Sequence, residues 1–280
     1  MSTSINLGAT VVLASLLLTA PAMAYERTQT CTPSGVTACK DGEVPQGIFW
    51  PTRRVEYVLE ATGSPDFGAA LTPALRAGIQ ESFDAWNTPT CSDIQFVEAG
   101  TSTRSEVGIS CTEDGEDQSI NLLLWPDEWD KASSIFALTS VTYNVLDGVI
   151  VDADIEFNEE YSYTLSTTPG PEEVSVQNTL THEVGHFLGL DHEPDIAQAT
   201  MFGFAPEGEY IKATLHPDDI AGLCEIYPAG TGTVLESTQN ICPQNTGCCA
   251  QVTGTSPTQA PFVWGAALLF GLMGLRRRRS

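Results

Sequence analysis

Three observations in the 280-residue sequence predict an α+β domain. Segments of strand period and helix period alternate between residues 51 and 228. A helix start is marked at Thr72-Pro73, and a second helical stretch carries two histidines four residues apart followed by a glycine.

Taken in order, Val55, Tyr57 and Leu59 alternate along one face and predict a half-buried strand. Thr72 stands at the cap position of a helix whose first residue is Pro73, where the missing N–H costs nothing. Leu75, Ile79, Phe83 and Trp86 then recur at helical spacing until Asn87 and Pro89 end the run. Ile94 to Val97, Val107 to Ser110 and Ile120 to Leu124 read as short strands. Ile135 to Asn144 and Val149 to Phe157 read as longer ones joined by a turn at Leu146-Asp147-Gly148. Pro169-Gly170-Pro171 closes a loop. Glu172 and Glu173 suit the positive end of a helix starting there, with Val176, Leu180, Val184 and Phe187 on its apolar face.

The ends differ from this middle. Val11 to Ala20 is largely apolar and Ala22-Met23-Ala24 is a small-x-small cleavage site, so residues 1–24 are expected to be a signal peptide and the mature chain to start near Tyr25. No Lys or Arg precedes that apolar run. Residues 25–50 form a short Cys-containing segment, 51–228 the domain, and 229–260 a Gly/Thr/Ser/Pro/Gln linker. In the final segment, 261–280, the uncharged run Pro261 to Leu275 precedes Arg276 to Arg279. That run is shorter than the roughly 20 residues a spanning helix needs, but its arginines fit the positive-inside rule. Export permits disulfides. Among the six cysteines before the tail, the local pairs 31–39, 91–111 and 224–242 are the expectation.

Charge narrows the function. Twelve Lys and Arg face 36 Asp and Glu, for a net −24. Four of those bases are Arg276 to Arg279, so Glu26 to Glu236, which holds every acidic residue, has eight bases against 36 acids and carries −28. Such a surface repels phosphate backbones and excludes nucleic acid as a partner.

The chemistry concentrates in His182-Glu183-Val184-Gly185-His186-Phe187-Leu188-Gly189-Leu190-Asp191-His192. Residues four apart lie one above the other on a helix, so the imidazoles of His182 and His186 converge. Two neutral imidazoles suit zinc. His192 lies six residues further on and cannot share that face unless the chain reverses, which Gly189 permits by accepting a positive φ. Three protein ligands leave a fourth position for water, the catalytic pattern. Glu183, beside the first ligand, is placed to act as general base. The remaining histidine, His216, precedes Pro217 and reads as a helix cap.

This extended motif resembles that of the metzincin metallopeptidases. Met201, nine residues after His192, matches their methionine turn. Leu215 to Tyr227 is similar to the last helix of the matrixin branch, in which Asp218 and Asp219 would support that turn. Asp152 to Asn158 resembles the matrixin strand before the active-site helix. The resemblance implies a twisted five-stranded mixed sheet, two long helices above a cleft, and a small C-terminal lobe containing a third helix. It also implies that Phe136 to Tyr143, with Ala137, Leu138 and Thr139 at its centre, is an edge strand pairing with extended substrate. The residues depart from the family in three ways. Only His216 is left to bind the second, structural zinc of vertebrate matrixins, so one catalytic Zn²⁺ is expected. The inhibitory cysteine motif of matrixin propeptides is absent. Glu193 follows the third histidine as in astacins, but Gly203 stands where those have tyrosine. Asp152, Asp154 and Glu156 share a strand face and offer a possible Ca²⁺ site. Cys31, Cys39 or Asp41 could cover the open zinc position, although a plain disulfide loop is the simpler reading. The tail, with Cys248-Cys249, linker, apolar run and arginines, resembles the C-terminal sorting signals of myxobacterial surface proteins.

The expectation is therefore a secreted, monomeric zinc endopeptidase acting on extracellular protein or peptide and tethered to the cell envelope by its tail. Two alternatives are a non-catalytic, metal-containing adhesin on the same scaffold, which would have no use for Glu183, and a zinc hydrolase of non-peptide bonds.

Overall fold

The computed structural model describes residues 25–32, 38–40, 42–114 and 116–231, together with the backbone of 268–275. The expected signal peptide, Asp41, most of the expected linker, Cys242, Cys248, Cys249 and the arginine cluster lie outside the described residues.

The expected α+β architecture and its five-stranded mixed sheet are present. Strands β1 (Arg54–Glu60), β2 (Gln95–Ser102), β3 (Leu122–Leu124), β4 (Ile135–Tyr143) and β5 (Ile150–Phe157) assemble in the order β2-β1-β3-β5-β4. All neighbours are parallel except β4 and β5, which pair antiparallel with Thr139 opposite Ile155. Two two-residue strands, β6 (Tyr163–Thr164) and β7 (Val174–Ser175), form a separate parallel pair. Beyond β4 the sheet continues through β8 (Phe204–Pro206) and β9 (Leu268–Leu275). β9 lies antiparallel to β4 and parallel to β8, with Thr139 opposite Phe270 and Phe204 opposite Met273. Part of the run expected to serve as sorting or anchor segment is thus a strand. The run Phe136 to Tyr143, expected as an edge strand, is therefore flanked on both sides: the backbone donors and acceptors that β4 and β8 would otherwise leave unpaired are taken by the extended apolar β9. Among the described residues no helix is long and apolar enough to cross a membrane.

Two helices pack against one another and the sheet. In α1 (Pro73–Asn87), Thr72 Oγ1 accepts from Leu75 N at 3.1 Å, and Leu75, Ile79, Phe83 and Trp86 are buried. In α2 (Val176–Phe187), Ser175 is the cap, accepting from Asn178 N at 3.2 Å. The helix therefore begins at Val176, four residues after Glu172. Val174 and Ser175 are held in β7, and Glu173 turns its carboxylate back to accept from Gly170 N at 2.7 Å. The Phe83 ring stacks on Tyr57 of β1 at 3.8 Å and meets Phe187 of α2 edge-on at 6.1 Å. Trp86 Nε1 donates to Thr181 O across the two helices at 2.8 Å. The third helix, α3 (Pro217–Ile226), starts with a reciprocal cap in which His216 accepts from the first turn and Asp219 accepts from His216 N at 2.8 Å.

Two further expectations are corrected. Val107 to Ser110 is not a strand: Gly108 has φ +89°, its N–H donates to Asp154, and Arg104 folds back to donate to Glu106 O and Gly108 O. Those partners replace a ladder. Cys31 pairs with Cys39, but Cys91 pairs with Cys224, 133 residues away, in place of Cys111 or Cys242. A bridge between Ser92 and Pro228 brings the end of α1 against the end of α3, a contact that neighbourhood in sequence does not reveal. Cys111 is disulfide-bonded as well.

Because Phe83 joins β1, α1 and α2, Phe83→Ala should lower the unfolding free energy by about 3–5 kcal/mol, read as a shifted midpoint in urea.

Candidate metal centre

His182 and His186 project from consecutive turns of α2 and are fully buried. The helix ends at once. Leu190 N donates to Gly185 O (3.0 Å), Gly189 N to His186 O (2.9 Å), and Gly189 takes φ +100°. A Cβ at Gly189 would stand 2.6 Å from Ile48 O, so both the dihedral and the space require glycine here. The reversal carries His192 back over the helix, bringing its Nε2 to 3.2 Å from His182 Nε2 and 3.1 Å from His186 Nε2. Among the described residues these three form the one group of three or more His, Cys, Asp or Glu able to share a metal ion.

The donor set fits zinc. His182 Nδ1 donates to Thr200 O (2.6 Å) and His186 Nδ1 to Leu190 O (2.9 Å); a carbonyl can only accept, so the protons sit on Nδ1 and each Nε2 offers a lone pair. Tetrahedral ligation at about 2.0–2.1 Å puts ligand nitrogens roughly 3.3 Å apart, close to the observed separations. Burial, reinforced by the neighbouring imidazoles, holds His182 and His186 well below the usual imidazole pKa, and burial lowers His192 too. All three favour the neutral, ligating form.

Below the rings, Met201 is buried, and its sulfur lies so close to α2 that a Cβ at Gly185 would meet it at 2.1 Å. Asp219 holds this turn, its carboxylate accepting from Thr200 N (2.8 Å) and Met201 N (3.0 Å). Asp218 is buried beside it at the start of α3, and its N–H donates to His216 Nδ1 at 3.2 Å. Glu193 N donates to Met201 O (2.9 Å), tying the third ligand's neighbour to the same turn. Gly203 matters because a Cβ there would lie 3.0 Å from the His192 ring.

Glu183 is buried, and Thr139 of β4 reaches it. The Thr139 hydroxyl donates to Glu183 Oε2 at 2.6 Å and lies 3.1 Å from the Glu183 carbonyl. The backbones of Leu138 and Thr139 face Gly271 and Phe270 of β9, while Ala137 pairs with Phe157 of β5. The Thr139 side-chain contact was not legible in the sequence, since nothing local links residues 139 and 183. After the methionine turn, Phe204 is exposed, and Lys212 is buried with its ammonium donating to Phe204 O (2.8 Å) and Glu209.

Of the other carboxylates expected to act together, Asp154 and Glu156 have partners elsewhere. Asp154 accepts from Leu122 N and Gly108 N, and Glu156 pairs with Lys131 at 2.6 Å. Asp152 is buried, and its carboxyl hydrogen-bonds that of Asp154. Burial, with Asp154 adding to it, raises Asp152 to about 8; burial raises Asp154 to about 6. The Cys31–Cys39 bond removes both thiolates as candidate zinc ligands.

Residues 49–228 match the Matrixin family, more than half of the chain. A comparison with curated proteins returns no match.

Two outcomes are expected. Asp152 has a folded pKa above its unfolded value of about 3.9. Its stabilising contribution is therefore complete below pH 4 and lost as pH rises through 8. Asp152→Asn should match wild type at or below pH 4, gain on it steadily as pH rises from 4 to 8, and gain nothing further by pH 9, read as the difference in Tm across that range. Thr139→Val keeps the shape of the side chain but removes the donor to Glu183. It should lower kcat about tenfold with zinc content unchanged, as measured by peptide hydrolysis and metal analysis.

Proposed function

The chain belongs to the matrixin family, a zinc metallopeptidase family, and from that premise we propose that it is a secreted endopeptidase using Glu183 as general base. The observation that carries this reading is the convergence of three Nε2 atoms, with Glu183 buried in the helix that bears His182 and His186. When bound, zinc supplies Lewis acidity and brings the pKa of a coordinated water toward ~7. His182, His186 and His192 would hold it. Glu183 accepts the proton of the attacking water and returns it to the leaving amine. Thr139 keeps the Glu183 carboxylate in one rotamer. Met201 and Asp219 keep the ligands from shifting when charge develops.

The substrate is an extended segment of extracellular protein or peptide, added as a strand at β4. In support, the side of β4 away from β5 accepts an added strand, β9, so substrate would pair there in place of β9. Phe202 to Thr214 would shape the pocket for the side chain after the scissile bond, with an apolar preference. In that stretch the Lys212 ammonium is paired with Glu209 and donates to Phe204 O. The metal reading is not extended to calcium: Asp154 accepts from Leu122 N and Gly108 N, Glu156 pairs with Lys131, and the Asp152 carboxyl is hydrogen-bonded to Asp154. We read the N-terminal apolar segment as an export signal and the apolar run with Arg276 to Arg279 as a sorting or attachment signal.

Glu183→Gln should retain one zinc per chain while kcat/KM for a peptide substrate falls by about 10²–10⁴. Chelator should abolish wild-type hydrolysis. Undiminished hydrolysis by Glu183→Gln would overturn the mechanism. One bound zinc with no hydrolysis of any protein or peptide by wild type would favour the adhesin reading.

A further inference from the structure

The segment just after the expected signal peptide lies outside the residues matched to the family, yet it reaches the metal centre. Thr28 is its central residue. Thr28 N donates to Gly189 O (3.0 Å) and Asp191 N donates to Glu26 O (3.0 Å), so the strap joins the turn between the second and third histidines as an antiparallel partner. On its other side, Ile48 N donates to Thr28 O (3.0 Å) and Thr30 N to Gln46 O (2.8 Å). The Tyr25 ring sits against α3, where a Cβ at Gly222 would come within 2.9 Å, and its hydroxyl bonds Glu225. The Cys31–Cys39 loop follows directly.

The Thr28 hydroxyl donates to Leu190 O at 3.1 Å, the same carbonyl that takes the His186 Nδ1 proton at 2.9 Å. A carbonyl oxygen has two lone pairs, and here one serves a zinc-ligand candidate while the other serves the strap. Thr28, Leu190 and His186 are all buried. Resting on the zinc reading above, we infer that Thr28 is a positioning residue for the metal centre: its hydroxyl fixes the Leu190 peptide, which orients the His186 ring and sets the course of the chain to His192. Outer partners of this kind govern metal affinity through the orientation of the ligand. The strap is then a working part of the mature enzyme rather than a detachable inhibitory segment.

The test compares zinc affinity by competition with a chromophoric chelator in wild type, Thr28→Ser and Thr28→Val. It is joined by the visible spectrum of the Co²⁺-substituted proteins. Thr28→Val should bind zinc about tenfold more weakly, with an altered Co²⁺ spectrum, and Thr28→Ser should restore both. Equal affinity and equal spectra in wild type and Thr28→Val overturn the inference, even if the variant melts at a lower temperature. Wild type that binds no zinc overturns the zinc reading itself. Should Thr28→Val not fold, amide exchange in wild type decides: zinc should slow Thr28 and Asp191 together, and exchange at Thr28 that zinc leaves unchanged overturns the inference.

Discussion

A straight helix can present only two imidazoles, four residues apart, to one point, so a three-histidine centre on one chain segment depends on the chain reversing immediately. In this protein the reversal takes place at Gly189, whose φ of +100° and close approach to Ile48 O leave no room for a side chain. Much of the surrounding structure serves that turn. Trp50 Nε1 donates to Phe187 O, the Tyr227 hydroxyl to Leu188 O, and Thr28 to Gly189 and Leu190. The carbonyls that α2 leaves unpaired at its end are thereby taken up by elements from both ends of the domain.

The methionine turn is the matching constraint from below. Asp219 spends its carboxylate on three backbone amides, at Thr200, Met201 and His216, which couples the start of α3 to the floor of the site. Gly185 lets that floor approach α2 between the two ligand turns. The Thr200 carbonyl in turn accepts the His182 proton. One buried carboxylate therefore transmits the position of α3 to a ligand ring, and the Cys91–Cys224 bond ties the same helix to the end of α1.

Elements with a local cause were legible in the sequence. Thr72-Pro73 starts α1 because capping needs only neighbouring residues, and the spacing of Leu75, Ile79, Phe83 and Trp86 is the buried face itself. Where a distant group decided, local reasoning went astray. Glu172 and Glu173 suit a helix start, but pairing of Val174 with Tyr163 delays α2 to Val176. Val107 to Ser110 has strand composition, but Asp154 and Arg104 take its backbone groups.

By itself the sequence determined the three-histidine cluster, the place of Glu183 beside its first member and the turn between His186 and His192, because helical period and the steric freedom of glycine act over a few residues. Only the tertiary structure decided that Thr139 holds Glu183, that Thr28 shares the Leu190 carbonyl with His186, and that Cys91 meets Cys224. Those contacts join residues 44 to 162 positions apart. A buried hydroxyl or thiol takes whichever partner packing brings within reach, and packing is set by the whole core rather than by any one segment.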